Sequence, residues 1–336
     1  MPKISKKAII IVSLSVILIV CGILSYFCFP FIVFREAPES RIEVDKENGI
    51  LSVSDNKIKI LQLTDLHTNG KVEMPLMFSI MKSAIMKSEP DLIVITGDVF
   101  SSHCREKDVE TLCDFLAKMG IPWAVVLGNH DDETPYSLED LSKILENTDA
   151  SLFKRGDLSD RYGNYYYYLR FPDGKTQQLI FMDTRSNGFT EESVTFYENA
   201  VLDSAKLDGT NTVQNLLFYH IPLQEMEDAV KAYENDSSIG SGKIGEAICP
   251  QGTSVGFFDK VLELGRTQAM IFGHDHYNNA IINYLGVDFC YGTKTGIAGG
   301  HNSKLGGNLI TLTSDGEYTI ERLLHWGKGE KHEIGN

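Results

Sequence analysis

The chain predicts an α/β protein of four layers, two mixed β-sheets packed face to face and flanked by helices, preceded by one transmembrane helix. Three observations carry that expectation. Short apolar runs rich in β-branched residues alternate with helical stretches in the first half. Strand-like runs separated by turn residues fill the carboxyl-terminal part, as antiparallel hairpins would. Residues 8–34 carry no charge, and a bilayer is crossed by roughly 20 apolar residues.

In chain order, Lys3, Lys6 and Lys7 precede the apolar stretch. The positive-inside bias then keeps residues 1–7 cytoplasmic, makes residues 8–34 a single-pass anchor in the plasma membrane, and sends the remainder to the extracellular side. A cleaved signal peptide is the rival, but its apolar core is shorter, roughly 7–15 residues, and closes on a small-x-small site. Leu18-Ile19-Val20-Cys21-Gly22 superficially resembles a lipoprotein signal, yet Val20 stands where that motif takes Gly, Ala or Ser. Residues 35–56 read as linker and first strands, 57–325 as one globular domain, and 326–336 as a polar tail. Within the domain, runs at 58–63, 91–95, 123–127, 179–183, 216–218 and 269–272 are short, apolar and partly β-branched, the composition of buried strands. Helices are expected near 137–146, 191–207, 226–233 and 255–264, and closing hairpin strands near 281–283, 287–291, 309–312 and 318–323. The consecutive Tyr165, Tyr166, Tyr167 and Tyr168 read as an alternating strand with two rings buried and two exposed. No internal repeat interrupts the pattern.

Five of the apolar runs end in a polar island. These are Asp65-Leu66-His67, Gly97-Asp98, Gly128-Asn129-His130-Asp131, Tyr219-His220 and Gly273-His274-Asp275-His276. Each sits at a strand's carboxyl end, the edge of layered α/β folds where loops converge and ligands bind. Carboxylates, imidazoles and an amide together make the mixed N/O set of a hydrolytic two-metal centre. Taken singly, the islands have plainer readings. Asp65-x-His67 suits a turn with a capping Asp, Gly97-Asp98 is ordinary turn chemistry, and His220 suits a satisfied strand-end histidine. Their joint occurrence in this order favours the metal reading.

The order D-x-H, G-D, G-N-H-D, H, G-H-x-H resembles the calcineurin-like metallophosphoesterases over roughly residues 58 to 313. The resemblance implies the metallophosphoesterase fold and two divalent or trivalent metal ions, Mn, Fe or Zn. It implies Asp65, His67 and His276 on the first ion, Asn129, His220 and His274 on the second, and Asp98 bridging both. His220 is the only histidine between His130 and His274. The implied reaction is attack of activated water on a phosphate ester, with Asp98 and His130 as catalytic residues and His130 the general acid. Asp131, beside it, is weighed as an orienting group that raises the imidazole's pKa, against helix capping. Ser101 stands where purple acid phosphatases have their tyrosine and where calcineurin-type phosphatases have an Asp followed by Arg. Further matches at Gly242-Lys243-Ile244-Gly245-Glu246, Gly256-Phe257-Phe258 and Cys290-Tyr291-Gly292-Thr293-Lys294-Thr295-Gly296 resemble the branch with the yeast cell-cycle phosphatase and the small plant purple-acid-phosphatase-like proteins.

The function expected is a membrane-anchored phosphomonoesterase acting on a phosphorylated small molecule, lipid or peptide. The alternatives are a phosphodiesterase on nucleotides, lipid head groups or envelope polymers, and a catalytically inactive sensor or binding protein. Asn129, His130, Lys243, Lys294 and His301 are the candidate substrate contacts, with Lys243 in a Gly- and Ser-rich loop between two islands. The net charge of −15 disfavours nucleic acid and anionic membrane surfaces as partners. Six cysteines, two of them in the apolar stretch, are too sparse for a disulfide scaffold. A Cys104–Cys113 bridge stays open, burial is the expectation for Cys249 and Cys290, and oligomeric state is left open.

Overall fold

Runs that are apolar at every position need cover on both faces, and both sheets of this fold supply it. The computed structural model describes residues 13–18, 20–22, 41–156, 162–208, 213–252, 255–301, 304–325 and 330–333. One sheet has six strands in the order β15 (Glu330–Glu333), β14 (Tyr318–Leu324), β13 (Gly306–Thr313), β3 (Lys57–Leu63), β4 (Leu92–Thr96), β5 (Trp123–Val126). Its β3, β4 and β5 run parallel, and the other three are antiparallel additions. The second sheet has nine strands: β1 (Ile42–Asp45), β2 (Ile50–Val53), β6 (Tyr165–Arg170), β7 (Thr176–Phe181), β8 (Asn215–Phe218), β10 (Thr267–Phe272), β12 (Val287–Tyr291), β11 (Ile281–Tyr284), β9 (Gly240–Ser241). Here β7, β8, β10 and β12 are parallel neighbours.

Side-chain alternation along the central strands divides the core into two layers. Leu179, Phe181, Leu216, Phe218, Ala269 and Ile271 face the six-stranded sheet and share a core with Ile60, Val94 and Val125. Their neighbours Ile180, Leu217, Met270 and Phe272 face the other way. That outer face is covered by α4 (Glu191–Asp208), α5 (Glu225–Asn235) and α6 (Phe257–Leu264), through residues such as Tyr197, Met226 and Phe257. The opposite flank of the molecule carries α1 (Gly70–Ser88), α2 (Glu106–Met119) and α3 (Leu138–Asn147). There Phe78 of α1 stacks on Phe115 of α2, ring centroids 4.4 Å apart. α3 begins where the Ser137 hydroxyl accepts the Asp140 N–H at 3.1 Å.

Within residues 35–56, residues 42–45 form the edge strand of the large sheet and residues 50–53 the strand beside it, β2 lying parallel to β6. Several expectations change. The expected polar tail contributes β15, paired antiparallel with β14. Tyr165, Tyr167 and Tyr168 are buried and Tyr166 half-buried. The reason is that β6 is an interior strand with α4 over its outer face, where the Tyr166 hydroxyl donates to Asp203 at 3.3 Å. Most of the expected anchor, residues 8–34, lies outside the described residues. Residues 13–18 and 20–22 are helical with exposed side chains. Among the described residues no helix is long and apolar enough to cross a membrane.

Candidate metal centre

Five parallel strands, β3, β4 and β5 of one sheet and β8 and β10 of the other, end on the same side of the sandwich, and each is followed at once by its polar island. The turns that bring these islands together are strained. Asp65, His67, Asp98 and His274 all have positive φ, at 51°, 44°, 47° and 78°, a backbone that side-chain-bearing residues adopt at a cost of order 1–3 kcal/mol. Backbone hydrogen bonds hold them there: Asp65 N–H to Gly97 O at 3.1 Å, His67 N–H to Asp98 O at 2.9 Å, and Gly273 N–H to His220 O at 3.1 Å. Two glycines permit the approach. A Cβ on Gly128 would lie 2.3 Å from Asp98 Oδ1, and one on Gly273 2.0 Å from Thr64 Oγ1. Beneath the turns a buried amide network ties the sheets together. Gln62 donates to Thr96 Oγ1 and to the Phe272 carbonyl, and Asn308 donates to Gln62 Oε1 and to the Tyr291 carbonyl.

Two groups of ligand atoms result, each within 4.8 Å: Asp65, His67, Asp98 and His276, and Asp98, His220 and His274. Asp98 belongs to both. His67 Nε2 lies 3.6 Å and His220 Nε2 3.2 Å from Asp98 Oδ2, and His276 Nε2 lies 3.5 Å from Asp65 Oδ1. The outward nitrogens settle which atoms face inward. His220 Nδ1 is 2.7 Å from the Thr96 carbonyl and His276 Nδ1 is 2.8 Å from the Gly299 carbonyl. A carbonyl only accepts, so each Nδ1 carries a proton and each Nε2 is the nitrogen turned inward toward the carboxylates. His276 Nε2 then meets His67 Nε2 at 3.0 Å. His220 Nε2 and Asn129 Oδ1 are buried without a hydrogen-bond partner. Buried polar atoms left unpartnered beside two converging groups of carboxylate and imidazole atoms fit a pair of metal ions.

The electrostatics have the same character. Burial works against charge on Asp98, yet the His220 charge 3.2 Å away holds the carboxyl down at about 2. Burial likewise opposes charge on Asp65, and the His276 hydrogen bond with the His220 and Lys294 charges keeps it well below the usual carboxylate range. Burial pushes His67 to about 3 and His274 to about 4, so both rings are neutral and ready to coordinate. His220 is lifted to about 9, burial opposing its charge and Asp98 outweighing it, so binding a metal ion would displace its Nε2 proton.

Asp131 does not face His130. It is fully buried and accepts the Gly128 N–H at 2.6 Å and the Phe100 N–H at 2.9 Å, bracing the two island loops together. Burial and the charge of Asp98 raise it to about 8. The partner of His130 is Glu133, its Oε1 2.8 Å from Nδ1. Lys294 is buried and donates from Nζ to the Asp65 carbonyl at 3.0 Å, under the ligands rather than out into the cleft. Burial lowers its ammonium to about 8. Lys243 and His301 are exposed, His301 two residues beyond the Gly299 that holds His276. The Lys243 loop is stitched to the last ligand loop. Lys243 N–H donates to Asn279 Oδ1, Gly245 and Glu246 N–H to Asn278 Oδ1, and Tyr277 N–H to Glu246 Oε1. Asp275, between the two ligand histidines, is buried and accepts from the Tyr291 hydroxyl and the Cys249 N–H. Burial raises it to about 6. Cys104 and Cys113 are both free and buried, and Cys249, expected inside, is exposed. Glu133 and Tyr291 escaped sequence reasoning. The i, i+3 spacing of His130 and Glu133 was the one available signal.

Histidines and carboxylates converging at the strand ends of a two-sheet α/β sandwich define the class, a metal-dependent hydrolase. Residues 58–278 match the family model described as calcineurin-like phosphoesterase, and the chain belongs to that family. It is a hydrolase of phosphate ester bonds. Among its relatives, one from Arabidopsis thaliana named probable inactive purple acid phosphatase 14 is 27% identical, over 73% of this chain and 72% of that protein. Phosphatase DCR2 of Saccharomyces cerevisiae is 28% identical, over 67% of this chain and 45% of that one. A dimetal phosphatase from Danio rerio has a similar fold, with a TM-score of 0.52 at 11% identity, over 83% of this chain and 99% of that one.

Proposed function

We propose that this chain is a membrane-anchored phosphomonoesterase working with two divalent or trivalent metal ions, drawn from Mn, Fe and Zn. The observation that carries the reading is the pair of ligand groups sharing Asp98. In this reading Asp65, His67 and His276 would hold one ion, Asn129, His220 and His274 the other, and Asp98, common to both groups, would serve both. The ions, when bound, would supply an activated water and offset charge on the phosphoryl oxygens. The chain's residues do the rest. His130, half-buried at the edge of the cluster and 5.3 Å from the His67 ring between centroids, gives a proton from Nε2 to the leaving oxygen. Asn129 offers its amide N–H to a phosphoryl oxygen, and the exposed Lys243 and His301 are the further candidate contacts. The substrate is a phosphorylated small molecule, lipid or peptide on the extracellular side. Residues 8–34, uncharged behind Lys3, Lys6 and Lys7, support the anchor.

The test is turnover by the purified full-length chain loaded separately with Mn, Fe and Zn, on paired aryl monoester and diester phosphates. Metal-dependent monoester hydrolysis, lost in Asp98→Ala and His130→Ala, is expected. Faster diester cleavage would make it a phosphodiesterase. No turnover with any metal would leave a catalytically inactive sensor or binding protein; the Arabidopsis relative is itself named probable inactive. Recovery of the chain in salt-washed membranes tests the anchor.

A further inference from the structure

Glu133 lies outside both ligand groups, yet its carboxylate is fixed against the one histidine of the islands that belongs to neither. His130 is held from three directions. Its N–H donates to Asp98 Oδ1 at 3.0 Å, its carbonyl accepts the Glu133 N–H at 3.1 Å, and its Nδ1 meets Glu133 Oε1 at 2.8 Å. The 3-10 turn Asp131–Glu133 that sets this spacing is itself anchored, because Asp131 clamps the Gly128 and Phe100 N–H groups. A carboxylate accepts hydrogen bonds, so Nδ1 carries a proton toward Glu133 and Nε2 is the nitrogen left for proton transfer. We propose that Glu133 is a positioning residue for the phosphoester reaction, setting the tautomer and ring orientation of His130 so that Nε2 addresses the leaving-group oxygen. This rests on His130 being the general acid. The residue three positions after Asp98 is Ser101, which cannot present a carboxylate to an imidazole. Glu133 supplies one within the histidine's own turn.

An exposed ion pair contributes little to stability, and Glu133 is partly exposed, so Glu133→Gln is expected to fold. General acid catalysis matters most where the leaving group is a poor one. A p-nitrophenolate departs without much help, whereas an alkoxide needs its proton in the transition state. The experiment measures kcat/KM of metal-loaded wild type and Glu133→Gln on p-nitrophenyl phosphate, phenyl phosphate and glycerol phosphate. The loss is expected to grow along that series and to reach about tenfold or more on glycerol phosphate. In a His130→Asn background, Glu133→Gln should add little on any of the three, and Glu133→Asp in wild type should recover part of the lost rate. An equal loss on all three substrates, or the same loss with and without His130, overturns the proposal. Absence of wild-type turnover would overturn the phosphomonoesterase reading and this inference with it. Normal wild-type turnover with an unaltered leaving-group dependence in Glu133→Gln would sink this inference alone.

Discussion

Asp98 is the residue on which both halves of the site turn, since Oδ2 faces His67 and His220 while Oδ1 accepts the His130 N–H. Asp98→Asn keeps the shape but replaces one acceptor oxygen with an N–H donor and removes the negative charge. Metal content is expected to fall to about one ion per chain or fewer by elemental analysis, and activity to fall by at least about a hundredfold, beyond the usual cost of losing a residue that merely supports a ligand. Gly128→Ala changes no donor atom, yet its methyl would stand 2.3 Å from Asp98 Oδ1 and 2.7 Å from the His220 ring. The ligands must move aside, so this substitution should cost metal and activity together. Full occupancy and normal turnover in Gly128→Ala would show that the close approach is unnecessary.

Loops rather than strands set ligand geometry, and the last one is held by an element remote from it in sequence. Tyr291, at the end of β12, donates its hydroxyl to Asp275, between His274 and His276. In Tyr291→Phe the ring still fills its buried place, but Asp275 keeps only the Cys249 N–H at 3.4 Å. The expectation is about tenfold to a hundredfold weaker metal binding, with global stability lowered by about 1–3 kcal/mol for the partly unsatisfied carboxyl. Metal titration followed by denaturant melts separates the two effects. The strands bearing the ligands were legible because buried parallel strands are apolar throughout and their polar islands interrupt them sharply. What the sequence hid was direction. Nothing in Gly128-Asn129-His130-Asp131 says that Asp131 turns inward to two backbone N–H groups while Glu133, not Asp131, meets His130. Lys294 has the composition of a phosphate contact, but its loop enters beneath Asp65. The strand β15 escaped notice because Glu330-Lys331-His332-Glu333 is polar throughout and carries no apolar alternation.

At the scale of the whole molecule the centre is a seam. Asp65, His67, Asp98 and Asn129 follow strands of the six-stranded sheet, and His220, His274 and His276 follow strands of the nine-stranded one. Ions that bind the folded chain and not the unfolded one therefore couple the two sheets, in addition to the shared apolar core. Linkage sets the scale: a site held at a hundred times its Kd adds about 2.7 kcal/mol. At roughly 2–4 °C per kcal/mol for domains approaching this size, chelation is expected to lower Tm by at least about 5 °C. Returning metal should restore it. The Asp98→Asn chain, deprived of the shared ligand, should show a much smaller difference between chelated and metal-loaded melts. That contrast separates binding at this centre from metal adsorbed on the acidic surface of a chain of net charge −15, where the variant and wild type would respond alike. Identical melts for wild type with and without chelator, at metal concentrations that support turnover, would mean that the ions do not clamp the sheets. The strained turns at Asp65, His67, Asp98 and His274 would then be held by the protein's own hydrogen bonds alone.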